Sequence, residues 1–309
     1  MDIISIILIV LGLSVFELIS SIDNAVINAE VLSTMSQKAK KWFMTWGLIF
    51  AVVVVRGILP MIIVFLSNPS LGIIGAVGAT FSNDPHVHES IEKSAPVLLV
   101  AGGTFLILLF LHWLFIEEKH YGIKGEMFIH KNGIWFYAIS SIFITAVVAF
   151  AANINPSMAI GTVVGSTFFF ITDGFKKNAE EQEKKLLTGN GISDLSKIFY
   201  LEILDATFSI DGVLGAFAFT LSVPLILIGN GLGALAVRQL TLSNIERVKK
   251  YVYLKNGAMY SVLFLGSIMI ADSFGVNIPQ WFSPLVTISV IAYFLWKSKQ
   301  WIQKDENIS

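Results

Sequence analysis

The chain has 309 residues, of which 55% are hydrophobic and only 14% charged, and its mean hydropathy is +0.73. That composition lies well outside the range of soluble domains and reads as an all-α, polytopic membrane protein. With a formal net charge of -1 and no basic patch, a nucleic-acid partner is not expected; with no cysteine, disulfides, iron–sulfur ligation and thiolate metal sites are excluded.

Runs of mostly apolar residues long enough to cross a bilayer predict nine helices in chain order: 3–29, 42–66, 96–116, 134–152, 157–172, 198–220, 222–238, 256–272 and 283–298. Met1-Asp2 precedes the first with no basic segment, so it reads as a retained helix rather than a cleaved signal. Placing the N-terminus outside and the C-terminus in the cytoplasm puts all of the 21 basic residues except Lys93 and Arg56 on the cytoplasmic side, as the positive-inside rule requires. The outer loop 67–95 then contains Asp84, His86, His88 and Glu89, which resemble a metal-ligand cluster but fit a solvated loop better. His112, in an apolar span, reads as a hydrogen-bonded core residue, and Asp173 to Lys197 as a solvated helical loop.

The tripeptide Ser-Ile-Asp occurs at Ser21 to Asp23 and again at Ser209 to Asp211, each time inside an apolar run. An ionisable group there costs about 2.5 to 3.5 kcal/mol even on insertion scales, so its default reading is functional. The 188-residue offset also brings Glu17 onto Asp205, and Gly47 and Gly229 each precede an arginine, Arg56 and Arg238, in the following span. The two copies would run antiparallel, which predicts an inverted-topology repeat with a site at its interface. One transmembrane domain, 1–309, then divides into a first repeat (1–116), connecting helices with a cytoplasmic loop (117–197) and a second repeat (198–309). On a helical wheel Glu17, Ser21, Asn24 and Asn28 share a face that Asp23 does not, nor does Asp211 share the Asp205 face. Either the helices break beside Asp23-Asn24 and Asp211-Gly212, the preferred reading, with Gly212 and Gly215 easing the second, or the stripes and the aspartates face different helices of the bundle.

Five carboxylates at membrane depth, Glu17, Asp23, Glu202, Asp205 and Asp211, outnumber the arginines, and with Asn24, Ser21 and Ser209 they make a hard, oxygen-rich set. Such a set suits Mn²⁺, Mg²⁺ or Ca²⁺, and release of the metal would leave the acids to protons, so proton coupling is expected. Glu202, nearer its helix start, fits a structural partner as well as a ligand. Arg56 and Arg238, placed toward opposite membrane surfaces by the repeat, fit gates or ion-pair anchors.

Glu17-x3-Ser21-x-Asp23-Asn24-Ala25, Trp46-Gly47 leading to Arg56, and Glu202-x2-Asp205-x3-Ser209-x-Asp211 resemble the TerC-like integral membrane proteins. That resemblance implies efflux of a metal ion, manganese first, through the paired acidic motifs, outward across a bacterial inner membrane. After Asp211 the chain reads Gly212-Val213-Leu214-Gly215-Ala216, where the family has Ser or Asn and a nearby Pro-Ala, which implies a side branch of uncharacterised proteins. Transport rather than enzymatic catalysis is expected. The alternatives are an intramembrane aspartyl protease, which also needs two aspartates, and an exporter of small organic cations or amino acids.

Overall fold

A computed structural model describes residues 2–47, 49–58, 65, 85–188, 193–243 and 248–306; for 23, 53–55, 85–93, 179–188, 208, 242–243 and 305–306 the backbone alone is described. Among the described residues there is no strand. The helices are α1 (Ile3–Ser20), α2 (Ile22–Ser33), α3 (Gln37–Trp42), α4 (Pro85–Phe115), α5 (Glu126–Lys131), α6 (Trp135–Ile154), α7 (Pro156–Thr188), α8 (Asp194–Ala216), α9 (Val223–Ser243), α10 (Leu254–Ser273) and α11 (Phe282–Glu306). Two π-helical segments, Phe43–Gly47 and Phe50–Val55, follow α3.

Local chemistry sets several starts. Asp2, Ser36 and Ser193 accept the amides of Ser5, Ala39 and Ser196 at 3.3, 3.4 and 3.2 Å, which satisfies first-turn donors. Pro156 opens α7 and Pro224 sits in the first turn of α9, where a missing amide proton costs nothing.

Seven helical stretches are long and apolar enough to cross a membrane: Ile3–Ser20, Gln37–Ile58, Ser94–Phe115, Trp135–Ile154, Pro156–Asn178, Val223–Thr241 and Leu254–Ser273. The chain is an integral membrane protein. Its exposed surface agrees, since Tyr137, Ile142, Phe150 and Ile154 of α6 all face outward, as a lipid contact allows. The expected spans 198–220 and 283–298 fall on α8 and α11. They stand outside the group of seven because α8 carries Lys197, Glu202, Asp205 and Asp211, and α11 carries Lys297 and Lys299.

The expected first span is divided at Ser21, whose backbone (φ -90°, ψ 5°) leaves the helical path between α1 and α2. Bonds from Ser21 N to Glu17 O (3.1 Å) and from Ala25 N to Ser21 O (2.9 Å) bracket this kink. The break expected at Asp211-Gly212 is not there: α8 runs unbroken to Ala216. Gly212 serves a close approach instead, since a Cβ on it would collide with Glu17 Oε2.

Glycines also fix how the helices run. Phe16 and Glu17 of α1 lie against Gly215 and Gly212, so α1 and α8 are antiparallel; Leu13 and Glu17 lie against Gly229 and Gly233, so α1 and α9 are parallel. The last pair, spaced four apart, lets backbones approach without a driving force from water. At the centre α4 packs Val97 and Ala101 on Gly161 and Gly165 of α7, and Leu106 on Gly266 of α10. Phe105, Leu106, Leu108, Trp113, Leu265 and Met269 form the core there.

These contacts predict opposite outcomes for two changes in α7. A Cβ at Gly165 would overlap the Ala101 backbone, whereas Gly174 has open space around it. Gly165→Ala is expected to cost about 1–3 kcal/mol by forcing α4 and α7 apart. Gly174→Ala should gain about 0.5–1 kcal/mol by removing a flexible residue from a helix. Thermal unfolding in detergent measures both, and an unchanged midpoint for Gly165→Ala would show that the helices are not in contact as described.

Candidate functional site: a buried cluster of carboxylates and guanidinium groups

Glu17 sits one turn beyond Leu13 on the inward face of α1 and is fully buried. Its Oε1 accepts three bonds: from Arg56 Nε (3.0 Å) and Nη2 (2.5 Å), and from Ser21 Oγ (3.1 Å) at the kink. Arg56 closes the second π-helical segment. Its backbone amide bonds Ala51 O, an i to i+5 bond, and its Nη1 reaches the same carbonyl at 3.2 Å and Asp205 Oδ2 at 3.4 Å. The wide turns of π-helix present carbonyls that an ordinary helix keeps to itself, and they recur at functional sites.

Asp205 comes from α8, and its Oδ1 accepts Asn24 Nδ2 of α2 at 2.7 Å. Arg238, from α9, approaches Glu202 Oε1 (3.5 Å) and Asp205 Oδ2 (3.8 Å) through Nη2. Its Nη1 donates to the carbonyl of Phe43 in the first π-helical segment, and the guanidinium lies 4.2 Å over the Phe43 ring. Gly47 makes room for this pair, since a Cβ there would strike Glu202 Oε1. Arg56 thus bridges Glu17 and Asp205, the two acids that the 188-residue offset aligns.

The cluster is one positive charge short, with Glu17, Glu202 and Asp205 against Arg56 and Arg238. Glu17 Oε2, Glu202 Oε2, Asn24 Oδ1 and Asn28 Oδ1 are buried and accept no hydrogen bond from the described residues. Acceptors left in this way are costly, and a bound water, a cation or, at the carboxylates, a proton relieves them.

Other expected members lie elsewhere. Asp211 is apart from the cluster, with Oδ2 held by Lys176 of α7 at 2.5 Å, because it leaves α8 on a different side from Asp205. The Asp23 side chain lies outside the described residues, although its backbone is in the first turn of α2. Ser209 is buried without a hydrogen-bond partner. Asp84 lies outside the described residues; His86, His88 and Glu89 are in the helical backbone of α4 rather than a loop, with side chains that are not described. On that helix His86 and His88 are about 200° apart around the axis. The arginines do not part toward opposite surfaces, since both reach Asp205 Oδ2. Among the described residues, no three His, Asp or Glu stand as a metal-holding group, and the Arg56 guanidinium occupies the space between Glu17 and Asp205.

Two partners, one partly buried and one buried, escaped the sequence reading. Lys176 sat in a charged run taken for a solvated loop, yet it continues the helix of the fifth span, where Thr172, Asp173 and Lys176 share a face. Glu126, in a connecting segment, is buried and accepts Gly122 N (2.7 Å), Ile123 N (3.0 Å), Asn256 Nδ2 (3.2 Å) and Tyr260 OH (2.9 Å), which fastens the loop after α4 to α10.

The family described as a protein of unknown function, DUF475, matches residues 22–304. The chain belongs to the DUF475 family. No curated protein and no solved structure matches it. Asn24, Arg56, Glu202, Asp205 and Arg238 of this DUF475 chain fall within the matched residues, while Glu17 and Ser21 precede them.

Removing one partner of a buried ion pair strands the other. Arg56→Met is therefore expected to lower the stability of this DUF475 protein by about 3–5 kcal/mol. Glu17→Gln combined with Arg56→Met should recover most of that loss. Unfolding midpoints in detergent provide the check: a double variant as unstable as Arg56→Met alone would mean that Arg56 is not balanced by Glu17.

Proposed function

We propose that this protein is a secondary transporter that exports a divalent metal cation, with Mn²⁺ the first candidate and Mg²⁺ or Ca²⁺ compatible with the same oxygen ligands. It does so in exchange for protons, across the bacterial inner membrane. The observation that carries this reading is the Arg56 guanidinium, a cationic group of the protein bridging two buried carboxylates from different ends of the chain.

The charges support an exchange. With Arg238 in place, a divalent cation substituted for the Arg56 guanidinium balances Glu17, Glu202 and Asp205 to zero. With Arg56 in place, one proton does the same. Metal and proton then occupy the cluster by turns, which is the logic of an antiporter. Glu17, Asp205 and the unpaired carbonyl of Asn24 would hold the metal, with Glu202 beside them. Arg56, anchored at Ala51 O, is the group that withdraws. Its π-helical support fits that role, because such turns recur at functional sites.

The antiparallel crossing of α1 and α8 supports an inverted repeat, 1–116 against 198–309, with the cluster at its interface. Counting α8 and α11 as spans gives nine, with the N-terminus outside and the C-terminus in the cytoplasm. An intramembrane protease fits less well: Asp205 is held by Asn24 and Arg56, and Asp211 by Lys176, whereas that chemistry needs two aspartates sharing a proton.

Cell content of Mn, Mg, Ca and Zn, measured with and without the protein, tests the reading. Expression should lower one divalent metal, and Glu17→Gln and Asp205→Asn should each return it to the level of cells lacking the protein while membrane insertion persists. Undiminished efflux in both variants would sink the proposal.

A further inference from the structure

A cavity of about 340 Å³ opens beside the cluster, between the α1–α2 kink, α4, α7 and α10. One side is apolar, from Ile19, Ile22, Leu109 and Met259; the other is charged. Its carboxylates are Glu117, Glu118, Asp173 and Asp211, and its ammonium groups are Lys176, Lys177 and Lys255. Four negative groups against three positive ones leave a deficit of one charge, and the remaining titratable group is His112.

His112 is only 7% exposed. The Phe136 and Phe169 rings hold its imidazole from 5.5 and 6.1 Å. Nδ1 faces Glu117 Oε1 at 3.6 Å and Nε2 faces Asp173 Oδ1 at 3.4 Å, and Nε2 makes no hydrogen bond. Each flanking carboxylate has a lysine of its own, Lys255 on Glu117 and Lys177 on Asp173, both at 2.7 Å. Burial alone would raise the Glu117 carboxyl, but His112 and Lys255 outweigh it and hold it well below the usual carboxylate range. The imidazole is therefore set between two carboxyl groups, each with a lysine of its own, in a cavity whose formal charge one proton completes. At the inner end, the Lys176–Asp211 pair adjoins Gly212, whose backbone rests on Glu17 Oε2.

We infer that His112 is the protonation site of this cavity and passes the coupling proton between the carboxylate cluster and water on the cytoplasmic side. The inference rests on the proton-exchange reading above. Imidazole is the side chain whose charge changes between about pH 5 and 8, so it both takes and gives a proton near neutral pH. The two ring nitrogens face the two carboxylates: a proton taken at Nε2, on the Asp173 side, makes the imidazolium, loss of the Nδ1 proton toward Glu117 completes one transfer, and a ring flip or tautomer exchange restores Nδ1–H for the next.

Purified full-length protein in liposomes separates the two readings. Exchange of labelled Mn²⁺ for unlabelled Mn²⁺ at equal pH needs no proton movement, whereas net Mn²⁺ flux driven by a pH gradient does. His112→Gln is expected to keep the exchange and to lose about a hundredfold of gradient-driven flux. The pH profile of that residual flux should be flat between about pH 5 and 8, where wild type varies. Asp173→Asn, which removes the Nε2 partner, should shift the wild-type profile to lower pH while keeping exchange. Gradient-driven flux intact in His112→Gln would overturn the inference, as would loss of exchange together with flux in both variants, because a structural role explains that result. Wild type without Mn²⁺ exchange would instead overturn the transport reading beneath it.

Discussion

Arg56 is bound by two acids that lie far apart in the chain, and the bundle is arranged around keeping those charges together. Inside an apolar protein neither a guanidinium nor a carboxylate persists alone, because the cost of removing each from water is several kcal/mol. Glu17 on α1 and Asp205 on α8 must therefore meet the same arginine. This ties the helix that opens the chain to one near its other end, and the glycines follow from it. Gly212 and Gly233 let two backbones come up to the Glu17 side chain, and Gly47 lets Glu202 and Arg238 close beneath the π-helical segment. Larger residues at those positions would hold the helices apart and leave charges facing apolar surface.

The helices themselves were legible in the sequence, because long apolar runs and proline positions mark them directly. The repeat also pointed to Glu17 and Asp205 as equivalent, and they share Arg56. What was not legible was direction. A wheel of 100° per residue fails across the π-helical turns, so the side to which Arg56 points could not be read from spacing. Gly212 looked like a place for α8 to unwind, but the same lack of a Cβ serves close packing, and only the neighbour at Glu17 decides between them. Asp211 shared a motif with Asp23, yet its partner Lys176 lay in a lysine-rich stretch indistinguishable by composition from a solvated loop. The kink at Ser21 was closer to expectation, since it falls two residues before Asp23.

Two sites of opposite character now stand side by side. The cluster is buried and bridged by arginines; the cavity is open and lined by carboxylates and lysines. Each is short of one positive charge, and Asp211 and Gly212 of α8 connect them, one side chain in the cavity and the next residue against Glu17. In the proposed relay the two are thus joined through a single turn of helix, with no long pathway required.

This adjacency bears on why the protein carries arginines where a cation site would be simpler without them. A site of bare carboxylates would hold protons or metal with no reference to the state of the protein. In the proposed exchanger Arg56 makes occupancy exclusive: while its guanidinium spans Glu17 and Asp205, a metal ion lacks both space and charge there, and one proton balances the remainder. An exchanger needs that exclusion, because an empty site that crosses the membrane uncompensated wastes the gradient. The deficit of one charge, too small for a divalent ion and right for a proton, is thus the quantity on which coupling would turn in the proposed exchange.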